Sequence, residues 1–174
     1  MPPLGALLAP QQIADITKYL IFAKSPSKSW GNPKTGWHLE TKGDRLAIRL
    51  DGLEVLSYFF KHKETKRPFF AHVKTPTGIQ VTRNFPPTKG KDPMDHGYMH
   101  PGLSLGFANI NGENFWHNNR GGLVVSEGFE REPLIKDLSA SFDVKNRYLG
   151  KDGKVVCLEI ANYELIKNSD GYLD

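Results

Sequence analysis

Cysteine is almost absent. Cys157 stands alone among 174 residues, so no disulfide forms within the chain. It lies in Val155-Val156-Cys157-Leu158, an apolar run in which a thiol is expected to be buried and inert. No Cys-x-x-Cys-His is present, which excludes covalent haem. No run approaches the ~18 apolar residues of a membrane span, so no membrane partner is expected. Met1–Pro10 has no basic residue and makes a poor signal peptide. A cytoplasmic protein is expected if that N-terminus is complete; otherwise a periplasmic or secreted placement stays open. Charge of one sign is also scarce, with 23 Lys and Arg against 19 Asp and Glu. The densest basic run, Lys61–Arg67, carries an acid and reads as a solvated loop, so nucleic acid is not an expected partner. Walker and dinucleotide glycine loops are missing. Gly102-Leu103-Ser104-Leu105-Gly106 has the letters of a nucleophile elbow, but it lies within an alternating strand pattern.

Turn formers and aromatics are plentiful. There are 17 Gly and 12 Pro, with ten Phe, six Tyr and three Trp, a mixture that favours short strands. One helix is expected, over residues 10–24, where Ile13, Ile16, Leu20 and Ala23 share a face. Residues 1–24 form this helical segment, 25–36 a Pro/Gly/Ser/Lys linker, and 37–174 the main domain. Strands are predicted at 37–42, 45–50 and 53–60, with Asp51-Gly52 as a tight hairpin turn. Others follow at 69–74, 78–83, 102–110, 121–127, 139–149 and 155–167. Asn111-Gly112 is a second tight-turn signal. Glu127, Glu130 and Glu132 read as an exposed strand end. The fold class is mainly β: an antiparallel sandwich or barrel behind one short N-terminal helix. After residue 167 a turn and the start of a strand suggest C-terminal truncation, or an edge strand completed by another chain.

The chemistry-bearing stretch is 95–117. It holds His96, His100 and His117, and it follows a polar loop, 84–101, long enough to suggest function. Two readings compete. In the first, a small polar or sugar ligand binds and undergoes acid–base chemistry, because imidazole titrates near neutrality. His96 and His100 are then the acid and base, with Asp95 orienting one of them. Arg83, Asn84 and His117 anchor the ligand and Trp116 provides a wall. In the second, Asp95, His96 and His100 hold a divalent metal, zinc or iron; Gly97, Pro101 and Gly102 argue against the helix that His-x-x-x-His would need. Against both, these histidines could simply brace the loop, which leaves open whether the chain is an enzyme or a non-catalytic binding module. His72 is as consistent with a strand-edge role as with a site role; His38 and His62 read as surface residues.

Three ordered blocks carry a family likeness: Arg67–Arg83, Asp95-His96 with Met99–Phe107, and Asn111-Gly112-Glu113-Asn114-Phe115-Trp116. Together they resemble a bacterial family labelled "methane oxygenase PmoA", over about the first half of its members. The resemblance implies a β-sandwich of the mutarotase type, cut to a half-sandwich, and hence carbohydrate as the ligand class. The methane chemistry in the label does not suit a chain without a membrane span. The chain departs from the family at Ala71-His72, where a histidine is shifted by one position, and at Asp95-His96-Gly97-Tyr98, where a neighbouring histidine is lost. On a strand, a one-residue shift turns a side chain to the other face.

Overall fold

The computed structural model describes residues 27–117 and 121–168. Five short strands form the first sheet in sequence order: β1 (Ser29–Gly31), β2 (Trp37–Lys42), β3 (Arg45–Leu50), β4 (Leu53–Phe59) and β5 (Phe69–Ala71). Three long strands form the second: β6 (Leu123–Ile135), β7 (Ser139–Leu149) and β8 (Val155–Ile166). Every pairing is antiparallel. The chain is therefore mainly β, as its composition implies. The helix predicted for 10–24 and the strand start predicted after 168 lie outside the described residues. No described helix is long and apolar enough to cross a membrane.

Alternation builds the core. Trp37 and Leu39 of β2, Leu46 and Ile48 of β3, and Tyr58 of β4 turn to one side of the first sheet and are essentially fully buried. Ala140, Phe142 and Val144 of β7 meet them from the second sheet. Tyr58 ties the layers together, its ring lying 5.5 Å from Phe142, 5.3 Å from Tyr163 and 4.8 Å from Phe70. Burying each such side chain contributes roughly 1.5–3 kcal/mol. On the other face of the first sheet, Arg49 bridges Glu40 at 2.9 Å and Glu54 at 3.2 Å. His38 sits beside it and is buried rather than at the surface; burial and the Arg49 charge push its pKa down.

The tight turns form as their residues require. Asp51 and Gly52 have φ of 50° and 82°, both positive as a type I′ turn demands. Asn111 and Gly112 do the same at 51° and 87°, closing the Ile110–Glu113 bridge.

Four strand predictions need correction. β1 lies inside the expected linker and pairs with β2, so the sheet begins before residue 37. β5 ends at Ala71 because His72 takes a φ of 56°, which breaks the ladder; past it only the Lys74–Gln80 bridge remains of the 69–74 and 78–83 pair. Residues 102–110 touch strand partners only through bridges at Leu103 and Ile110. β6 does not stop at 127 but runs on to Ile135. It absorbs Gly128, at φ 101°, and three register shifts against β7 as bulges. Pro133 is tolerated there because β6 is an edge strand.

Candidate functional site

The long loop lies over the face of β4–β5 that points away from the core. Phe59, Phe69 and Ala71 turn to that face and pack with Phe85 and Tyr98 from the loop. His62 joins them, its ring stacked 5.7 Å from Tyr98, so it too is drawn off the surface. His72 holds the loop's entry, with Nε2 2.9 Å from the Phe85 carbonyl.

Within the loop, one carboxylate and one guanidinium fix the backbone. Asp92 accepts from the Asn84 amide at 2.9 Å, the Asn84 side chain at 2.9 Å and the Thr88 amide at 2.7 Å. These donors, the Asn84 side chain foremost, hold its pKa below the ordinary carboxylate value. Arg83 Nη1 donates to the carbonyls of Asp95, at 3.0 Å, and Pro93, at 3.3 Å. Asn84 and Arg83, expected to anchor a ligand, thus brace the loop.

His96 sits at the apex with φ 51°. Its carbonyl accepts from the amides of Met99 and His100 at 2.9 and 2.8 Å, closing a turn rather than a helix. Gly97 lies so close to Pro87 that a Cβ would fall 2.5 Å from its Cγ. Asp95 and His96 are both exposed, with Oδ2 and Nδ1 3.3 Å apart, and that contact depresses the Asp95 pKa. The His96 and His100 rings are 6.0 Å apart, and His100 meets the Trp116 ring edge-on at 5.5 Å. Asp95, His96, His100 and Trp116 therefore form one continuous rim. His117 turns aside, its amide and that of Trp116 both donating to Asn114 Oδ1 at 2.9 and 3.0 Å.

Among the described residues no three His, Cys, Asp or Glu side chains are placed to hold a metal ion. The turn at His96 spreads the three expected donors along the rim instead of converging them.

The residue that organises the site is Arg67, which the sequence places in a solvated basic run. It is buried at 3% exposure. Its three nitrogens reach Trp116 O at 2.7 Å, Met99 O at 2.6 Å and Ser104 Oγ at 3.2 Å. Its guanidinium also stands 5.4 Å from the Trp116 ring centroid, within cation–π range. Burial lowers its pKa, although an arginine so placed remains a cation. Gly106 completes the seat: a Cβ there would lie 2.5 Å from the Trp116 ring. Trp116 is thus packed from beneath. Asn114 was legible in principle as a side chain capping its own downstream amides; nothing local marks Arg67.

No curated protein and no solved structure matches the chain. Residues 45–173, which include β3 to β8 and the whole rim, match a family of unknown function, DUF6807, and the chain belongs to that family.

Proposed function

We propose that this chain is a sugar-binding β-sandwich domain whose ligand rests on the rim formed by Asp95, His96, His100 and the edge of Trp116. One observation carries this reading. An exposed carboxylate and two imidazoles line one edge of a loop whose backbone is fixed from below by Arg67, Arg83 and Asp92. Such a surface offers donors and acceptors at little ordering cost, which suits a polyol. The likeness to the PmoA-labelled blocks supports the same ligand class. Acid–base catalysis at a sugar hydroxyl or ring oxygen is the enzymatic form of this proposal, with His96 and His100 exchanging the proton.

The test is a titration of the full chain with neutral sugars and uronic acids, followed through the histidine ring NMR signals. Selective shifts at His96 and His100, abolished in His100→Ala, are the expected result. Unchanged binding in His100→Ala would overturn it, and mutarotation rates on any bound sugar separate enzyme from binding module.

A second reading rests on a different observation. β8 pairs only with β7 among the described residues, and it exposes Leu158 and Ile160. Such an edge invites a further strand. Concentration-dependent association in sedimentation, lost in Ile160→Lys, would favour it.

A further inference from the structure

The outer face of the long sheet carries a second feature, unused by the rim. Ala140, Phe142 and Val144 of β7 point into the core, so Ser139, Ser141 and Asp143, one step out of phase, point away from it. Opposed residues of neighbouring strands share a face. Ser139 opposes Ile166 of β8, and Ser141 stands between Leu134 of β6 and Glu164 of β8. Asp143 stands between Arg131 and Asn162 and accepts from both. Small serines on the central strand, with longer side chains on both flanks, make a trough along β7. Its walls are apolar and bare: Leu134 is 53% exposed, Ile166 37%, and Leu138, in the turn joining β6 to β7, 64%. Further along the same face Ile160 is 56% exposed. Grouped apolar side chains of this kind mark a surface that something covers.

The chain itself supplies a cover of the right size in the right place. β1 is fastened to β6 beside the trough, with Lys28 Nζ and Trp30 Nε1 each donating to Glu132 at 2.9 Å. The Trp30 ring lies 5.5 Å from Phe129. Stepping back from Trp30 to Lys28 therefore leads along β6 from the level of Phe129 toward Leu134, two residues beyond Glu132. The stretch from Ala23 to Lys28 spans up to about 17 Å when extended, enough to round the edge strand β6. Before it comes the amphipathic stripe of Ile13, Ile16, Leu20 and Ala23. A helix over residues 10–24 is about 22 Å long and about 10 Å across. The face is three strands wide, about 14 Å, and Ile160 lies about 20 Å from Ile166 along β8. Charge agrees as well: Lys24 flanks the stripe at the end where Glu164 stands exposed on the trough wall.

We infer that residues 10–24 dock in this trough as an amphipathic helix. Ala23 and Leu20 rest on the Ser139–Ser141 floor between Leu134 and Ile166, Ile16 passes the Asp143 row, and Ile13 reaches toward Ile160. The tether favours this occupant over a second copy of the chain. A segment on so short a linker meets the trough at about millimolar effective concentration or above, so modest contact suffices, whereas a second copy must associate from solution. Shape favours it too, because a flat partner would leave a void above the serines that a rounded helix fills. The helix lies on the face of the long sheet and leaves the free edge of β8 open, so this docking is independent of any strand added there.

The test is a nuclear Overhauser measurement on the full chain with labelled methyl groups. Cross-peaks joining Ile16 and Leu20 to Leu134, Leu138 and Ile166 are the expected result. They should be absent from the isotope-filtered spectrum of a mixture of labelled and unlabelled chains. Trypsin cleavage after Lys18 and Lys24 reads the same contact: Leu134→Asp should speed it at least about tenfold while the His96 and His100 resonances stay in place. The cross-peaks need no substitution, so a misfolded Leu134→Asp leaves the test intact. No cross-peaks on the native chain, cross-peaks carried by a second copy in the filtered spectrum, or equal cleavage of native chain and folded variant would each overturn the inference.

Discussion

His72 Nε2 lies 2.9 Å from the Phe85 carbonyl, from a backbone position that few residues other than glycine and asparagine accept. The same residue ends β5 and begins the loop that carries the rim. His72→Val should cost about 1–3 kcal/mol in denaturant unfolding, because a β-branched side chain resists a positive φ and leaves the carbonyl unpaired. His72→Asn should cost less, since asparagine tolerates this conformation. Equal losses for the two would show that backbone strain plays no part.

Arg67→Met removes the buried cation beneath Trp116 and strips the Met99 and Trp116 carbonyls of their donor. The expected loss is about 3 kcal/mol or more, with Trp116 fluorescence changing in the same transition. Arg67→Lys should rescue little, because one ammonium cannot span three acceptors arranged for a planar fork. A lysine variant as stable as the native chain would refute the role given to the guanidinium.

Acid should loosen the first part of the loop before it unfolds the sandwich. The Asp92 pKa is lowered in the folded state, so its contribution is present above the ordinary carboxylate pKa and fades as pH falls through the folded value. Amide exchange at Asn84 and Thr88 should therefore quicken below about pH 4 while the core strands remain protected. In Asp92→Asn the same amides should already exchange faster at neutral pH. No difference between variant and native chain would count against this account.

Ile48 is fully buried where the first sheet meets β7, in the same cluster as Phe142 and Val144. Ile48→Ala should destabilise by about 2–5 kcal/mol without shifting the rim signals, since the loop packs on the opposite face of the sheet. A change in the His96 or His100 resonances of this variant would mean that the two faces are coupled.

The parts legible in the sequence were those set by neighbours along the chain. Asp51-Gly52 and Asn111-Gly112 each need positive φ at two adjacent residues, and that requirement is written in the residues themselves. β2, β3, β4, β7 and β8 alternate plainly enough to give their ends to within a residue. What escaped depends on distant partners. β1 hides among turn formers because its strand character comes from the ladder with β2. Residues 102–110 alternate like a strand, but the pattern serves a loop in which Gly106 seats against Trp116 while Leu103, Leu105 and Phe107 stay exposed. The rim histidines were found from their crowding in the chain. The brace beneath them was not, since the last residue of a basic run reads the same in solvent as under a carbonyl cage.

The acceptors held by Arg67 lie 32, 37 and 49 residues further along the chain. A single side chain next to β5 thus closes three long loops at once. Peeling any one contact away exposes a buried cation, so the stretch from Met99 to Trp116 has no inexpensive partly open form. It is expected to melt together with the sheet below it as one cooperative unit, keeping a rim made of irregular backbone as rigid as a strand.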